Sequence, residues 1–201
     1  MNRNRLITNL KGLFTPDPKV PWGTDRIEDA ALAIQGGRIA WMGARNDLPR
    51  EWEEAEEIDG QGRWATPGFV DPHTHLIFGG DRSGEFNERL HGVTYAELAA
   101  RGGGIRETVR ATRQASVEEL VEIGEERLGK LARKGVVHVE AKTGYGLALE
   151  AESRQLEAYG ELQRRGWSLD VTLMPAHDLP PEFAVDPDRY IWIVAEEWQP
   201  E

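Results

Sequence analysis

The order of apolar patterns after about residue 65 constrains this chain more than any other feature: a short apolar run, an amphipathic segment, then the same pair again. Phe69-Val70 belongs to the first run, which ends in Asp71-Pro72-His73-Thr74-His75, and a long glycine-rich loop is expected from there to about Ala115. Ser116 and Glu119 then form a capping-box pattern. Val117, Leu120, Val121, Gly124, Leu128 and Leu131 follow at three- and four-residue spacing, with Gly135 where a C-terminal cap belongs. Val136 to Ala141 reads as a buried strand, a second helix runs from about Leu149 to Gly166, and Leu169 to Met174 reads as a third strand. Asp186-Pro187 opens a third helix with Tyr190, Val194 and Trp198 on one face. Strand, helix, strand, helix is the grammar of a parallel α/β fold.

The first sixty or so residues read differently. Ala31-Leu32-Ala33-Ile34 and Ile39-Ala40-Trp41-Met42 flank Gln35-Gly36-Gly37-Arg38, a turn-forming stretch suited to a β-hairpin. The change of pattern places a domain boundary near Arg63, giving residues 1–63 to a small β unit and 64–201 to the α/β region. An eight-fold β/α barrel needs roughly 250 residues. The region from Trp64 onward supplies only about three strand-helix units, so an incomplete barrel, its second half absent, is the expectation if a barrel it is. An open doubly wound sheet escapes the length argument.

Composition narrows the function. With 39% hydrophobic and 29% charged residues, the chain has what a folded domain needs. A net charge of -11, with acidic and basic residues well mixed, leaves no basic stripe to neutralise a phosphate backbone, so nucleic acid is not an expected partner. There is no cysteine, so any metal must be held by His, Asp or Glu. No stretch approaches the apolar length of a membrane span, and a cytoplasmic location is expected.

The strongest chemical signal is His73-Thr74-His75, because residues i and i+2 of a strand point to one face and two imidazoles can converge on one ion. In a β/α barrel the end of a strand is the rim where catalytic groups sit. A catalytic metal site needs a third protein ligand and an open position. Of the other histidines, His91 falls in the long loop, His138 lies towards the middle of its strand as a core histidine would, and His177 follows the third strand at the same rim as the pair. Arg82, shortly after the pair, supplies a cation able to clamp a carboxylate, and Tyr145 sits between glycines after the second strand. Gly102-Gly103-Gly104 lacks the spacing of a phosphate-binding loop.

The segment Pro67-Gly68-Phe69-Val70-Asp71-Pro72-His73-Thr74-His75-Leu76-Ile77-Phe78-Gly79-Gly80 resembles the first-strand signature of imidazolonepropionases, metal-dependent amidohydrolases. Gly102-Gly103-Gly104-Ile105, Glu140-Ala141-Lys142-Thr143-Gly144-Tyr145-Gly146-Leu147 and Ala176-His177-Asp178-Leu179-Pro180-Pro181-Glu182 resemble later family motifs, in the same order. The resemblance implies a (β/α)8 barrel beside a small β-sandwich domain, and hydrolysis of the cyclic amide of 4-imidazolone-5-propanoate to N-formimidoyl-L-glutamate in histidine degradation. It implies one zinc or iron ion, with His73 and His75 as ligands, and Arg82, Tyr145, His177 and Tyr95 as substrate-binding residues. It further implies a homodimer for the complete enzyme.

The sequence departs from the pattern at Thr143, where serine is expected, and at Met174-Pro175, where many members carry Leu-Gly. The family's remaining metal ligands, a histidine from the fifth strand and a proton-handling aspartate from the eighth, are expected beyond Glu201. The catalytic residues are therefore not assigned within the chain, which alone is expected to be inactive and not to fold stably. Alternatives are another cyclic-amide hydrolase or deaminase, or a non-catalytic fragment. Lys142, the tempting candidate for a carboxylated bridging lysine, falls on the second strand rather than the fourth.

Overall fold

The computed structural model describes residues 4–15 and 26–198, and they fall into two compact units that divide between Pro67 and Gly68. The first unit is a β-sheet built from β1 (Arg5–Phe14), β2 (Arg26–Gln35), β3 (Arg38–Ala44), β4 (Glu56–Asp59) and β5 (Trp64–Ala65). Its order is β3-β2-β1-β4, with β5 also paired to β1. The strand β1 runs antiparallel to β2 and parallel to β4 and β5. Between β2 and β3 lie Gly36 and Gly37 at φ 59° and 78°, the left-handed pair that a two-residue hairpin loop requires. Leu6, Leu10, Leu13, Ala31, Ala33 and Trp52 form its buried interior. Trp64–Ala65 was expected to begin the second region; ladder pairing to Gly12 and Leu13 holds it in the first, so the break falls later than Arg63.

The second unit carries β6 (Phe69–Thr74), α1 (Ser83–Leu90), α2 (Tyr95–Ala100), α3 (Ile105–Gln114), α4 (Val117–Ala132), β7 (Val136–Lys142), α5 (Leu149–Arg164), β8 (Leu169–Thr172) and α6 (Pro187–Glu196). The three strands form a parallel sheet in the order β6-β7-β8. Among the described residues, β6 and β8 each pair with β7 alone. Val139 and Ala141 of β7 and Leu169 of β8 turn one face to α4 and α5, where Leu120, Val121, Leu128, Ala158, Tyr159 and Leu162 close a core together with Leu76 and Ile77. The class is α/β, as the apolar order required.

The capping box of α4 forms as read: the Ser116 hydroxyl accepts from the Glu119 N–H and the Glu119 carboxylate accepts from the Ser116 N–H. The expected loop between His75 and Ala115 is instead largely helical. Its three helices escape a periodicity reading for physical reasons. No residue of α1 is buried, α2 spans six residues, and α3 buries two threonines beside a single valine, so no apolar stripe marks them. The strand β8 ends at Thr172, short of Met174. Trp198 lies beyond α6, though its ring still meets Tyr190 at 5.9 Å.

Candidate metal and substrate site

The pair of histidines sits where β6 ends. His73 lies in the strand and His75 one residue past it, with ring centroids 6.1 Å apart. His177, on the segment after β8, brings its ring centroid to 4.4 Å from that of His75. Tyr145, after β7, lies 5.0 Å from His75, 5.5 Å from His177 and 5.4 Å from Phe78, centroid to centroid. Three strand ends thus deliver four of the expected residues to one cluster.

Both ring nitrogens of His75 and Nδ1 of His177 are buried without a hydrogen-bond partner among the described residues. Buried polar atoms are ordinarily bonded, so unpaired imidazole nitrogens at a strand end are suited to holding a ligand. Burial pushes the His75 imidazole below its ordinary value, the charge of His177 adds to this, and the Thr143 backbone works the other way. A neutral imidazole is the form that binds a metal. The donor set suits zinc or iron in kind. It supplies only part of a site, since no group of three His, Asp or Glu side chains able to hold an ion occurs among the described residues.

Beneath the pair, Glu140 Oε1 accepts from Lys142 Nζ at 2.5 Å and from the Thr172 hydroxyl at 2.5 Å, while its Oε2 is buried and unbonded. Lys142, Thr172 and, more weakly, His73 hold this carboxyl below the usual range. His138 is partnered on the sheet: its ring nitrogens meet Ser168 Oγ at 2.8 Å and Asp170 Oδ2 at 3.2 Å. His91 is exposed on α1's end, bonded to the Asn87 carbonyl.

Beside the cluster lies a cavity of about 600 Å³ lined by Phe78, Arg82, Arg89, Arg127 and Tyr145 among others. The Arg82 Nε donates to Glu85 at 2.9 Å. The Arg127 guanidinium lies 3.7 Å from the Phe78 ring centroid and donates to the Leu76 carbonyl at 2.7 Å. Tyr95 is not brought into the ring cluster; it starts α2, half exposed, beside Gly104.

The loops that carry these side chains are held from α5. Tyr159 accepts from the Ile77 N–H at 3.2 Å and donates to the Lys142 carbonyl at 2.9 Å; Gln155 donates to the Ile77 carbonyl at 2.8 Å. Glu152, on the same helix face, accepts from three N–H groups of the Tyr145 loop. None of these three residues was singled out from sequence. Their signal was available: polar side chains at positions 152, 155 and 159 recur on the face of a helix that should be apolar.

No protein-family model matches the chain. It is 51% identical over 166 residues to the imidazolonepropionase of Pseudomonas aeruginosa (strain UCBPP-PA14), covering 82% of this chain and 41% of that protein. It is 46% identical over 190 residues to the imidazolonepropionase of Shewanella halifaxensis (strain HAW-EB4), covering 94% of this chain and 47% of that one. The chain belongs to the imidazolonepropionase family. It spans less than half the length of these two relatives. Among solved structures, the atrazine chlorohydrolase from Arthrobacter aurescens TC1, complexed with zinc, aligns at a TM-score of 0.60 and 20% identity over 98% of this chain and 44% of its own. An uncharacterised metal-dependent hydrolase from Pyrococcus furiosus aligns at 0.54 and 15% identity over 85% of this chain and 50% of its own. These two likenesses show a fold that the chain shares with both hydrolases.

Proposed function

We propose that this chain carries the strand-end histidines and the substrate pocket of an imidazolonepropionase, which adds water across the ring amide of 4-imidazolone-5-propanoate to give N-formimidoyl-L-glutamate. The observation that carries the reading is the placement of Tyr145, which touches His75 and His177 on one side and lines the arginine cavity on the other. One aromatic side chain thus joins a metal-suited end to a cationic end, as a substrate with a hydrolysable ring and a carboxylate tail requires.

In this reading His73 and His75 hold the ion, zinc or iron, and Arg82, Tyr145, His177 and Tyr95 hold the substrate. Such an ion, when bound, polarises an amide carbonyl and makes water a stronger nucleophile at neutral pH. The guanidinium of Arg82 keeps donors beyond the one given to Glu85, and Arg89 and Arg127 line the same cavity, so its three arginines outnumber the carboxylates of Asp81 and Glu85 and offer the propanoate charge-assisted partners. The His75 ring, its nitrogens buried, packs against the Tyr145 ring on one side of the site. Barrel closure, a single ion, a cytoplasmic location and the homodimer remain part of the same proposal.

The test is to measure bound metal and consumption of imidazolonepropanoate by the 201-residue chain and by a form extended with whatever reading frame follows. Turnover and tight metal in the extended form alone are expected, because two imidazoles hold an ion weakly. Extended protein that binds metal and leaves imidazolonepropanoate untouched overturns the substrate assignment in favour of another amidohydrolase reaction.

A further inference from the structure

The segment Thr143–Leu147 turns sharply, with Gly144 at φ 116° and Leu147 at φ 51°. A leucine in the left-handed region stays there only when its surroundings hold it. Two side chains hold it: the Arg113 guanidinium donates to the Gly146 and Leu147 carbonyls at 2.6 and 3.1 Å, and the Glu152 carboxylate takes the loop's N–H groups. Glu152 is 1% exposed and makes no ion pair among the described residues. Its Oε1 accepts from the N–H groups of Gly146 at 2.7 Å and Leu147 at 2.8 Å, and its Oε2 from that of Gly144 at 2.9 Å. Successive N–H groups that converge on a negative charge form an anion nest, filled here by the protein's own side chain. A Cβ built on Gly146 would lie 2.8 Å from Glu152 Oε1, so the loop backbone packs directly on the carboxylate.

We propose that Glu152 is a positioning residue of the site: its carboxylate gathers the N–H groups on either side of Tyr145 and thereby sets the Tyr145 ring against His75, Phe78 and His177. The inference rests on the reading of Tyr145 as a substrate-facing residue. The chemistry of the bonds fixes why the residue must be an acid. Each carboxylate oxygen accepts, whereas the amide of a glutamine presents donors at one of its two ends. A glutamine at this position satisfies two of the three N–H groups and sets its own N–H against the third. Burial raises the Glu152 carboxyl above its ordinary value, and the Thr143 hydroxyl together with the backbone N–H groups of Leu147, Gly146 and Gly144 opposes that rise. The loop's donors thus favour the carboxylate form against the effect of its burial.

The test reads the loop itself, without substrate. The protein, extended as in the activity test, is prepared with carbon-13-labelled tyrosine, and the Tyr145 ring signal is identified by its disappearance in Y145F. Its shift in the native protein reflects the His75, Phe78 and His177 rings. In E152Q the Tyr145 signal is expected to move to the position of a free tyrosine, while the signals of Tyr159 and Tyr190 stay put. Amide exchange at Gly144, Gly146 and Leu147 is expected to quicken by about a hundredfold relative to Ile77, as lost local protection does. An unmoved Tyr145 signal in folded E152Q overturns the proposal, as do tyrosine signals that all move together with uniform exchange. If E152Q does not fold, E152D keeps the charge on a shorter arm, and Tyr145 held as in the native protein then overturns it. Turnover is not read, so absence of imidazolonepropionase activity counts against the functional reading and leaves this result standing.

Discussion

His177 and His75 lie with ring centroids 4.4 Å apart although they follow different strands, β8 and β6. Each ring has at least one buried nitrogen with no hydrogen-bond partner among the described residues. For His75, whose two nitrogens are both unbonded, replacement by alanine is expected to lower zinc affinity by more than the roughly 10–100-fold that follows loss of an orienting neighbour. Equilibrium dialysis of H75A against zinc measures this. Affinity equal to the parent protein places the ion elsewhere.

Gly144 brings two rim segments into contact. A Cβ there would lie 2.9 Å from His177 Cβ and from the Met174 carbonyl oxygen, and φ 116° disfavours any L side chain. Gly144→Ala is expected to destabilise the second unit by about 1–3 kcal/mol, from strain and overpacking together. Urea unfolding gives the number, and a change below measurement error shows that the loop relaxes freely.

Tyr159 is fully buried, and its hydroxyl joins the Ile77 N–H to the Lys142 carbonyl. Tyr159→Phe keeps the ring and removes both bonds, for an expected loss of about 1–3 kcal/mol from backbone groups left unpaired. Denaturant unfolding monitored by circular dichroism checks it.

Ser116→Ala removes the hydroxyl that accepts from the Glu119 N–H and is expected to cost about 1 kcal/mol. Because the helix α4 is otherwise untouched, Ser116→Thr is expected to keep most of the stability that Ser116→Ala loses in the same unfolding assay.

Tyr190 titrates late. Burial is the main reason that its hydroxyl, which donates to the Pro175 carbonyl at 2.7 Å, is pushed up to about 12 from 10.0. The folded chain therefore keeps a proton that the unfolded chain releases, and stability falls as pH rises from about 10 towards about 12. Below that window the contribution is fully present. Urea midpoints across it are expected to fall more steeply for the parent than for Y190F, and parallel curves would remove Tyr190 from the account.

The sheet and the two long helices were legible because their signals are local. A capping box at Ser116 and an unbroken stripe from Val117 to Leu131 need no tertiary information. Gly36-Gly37 declared a hairpin in the same way. The helices between Ser83 and Gln114 were hidden because their few buried residues include Thr108 and Thr112, which look like surface residues in a sequence. Thr112 is buried because its hydroxyl accepts from the Gly79 N–H, a partner distant along the chain. Arg127 escaped for a similar reason: a charged residue on an amphipathic helix reads as solvated, and only the fold lays it across Phe78. Among the candidate site residues, adjacency in a motif revealed His73 and His75. The nearness of Tyr145 and His177 to them is a product of strand order.

The face of α5 that carries Gln155 and Tyr159 grips its neighbours by their main chain, at Ile77 and Lys142. Main-chain atoms are present whatever residue occupies a position, so the grip is indifferent to what the rim displays. Side chains such as Phe78 and Tyr145 can be exchanged without dismantling the support under them. A scaffold of this kind lets ligand preference drift through the rim while the helix that aims it stays unchanged, and variants with new preferences are best sought at those two positions, with α5 left intact.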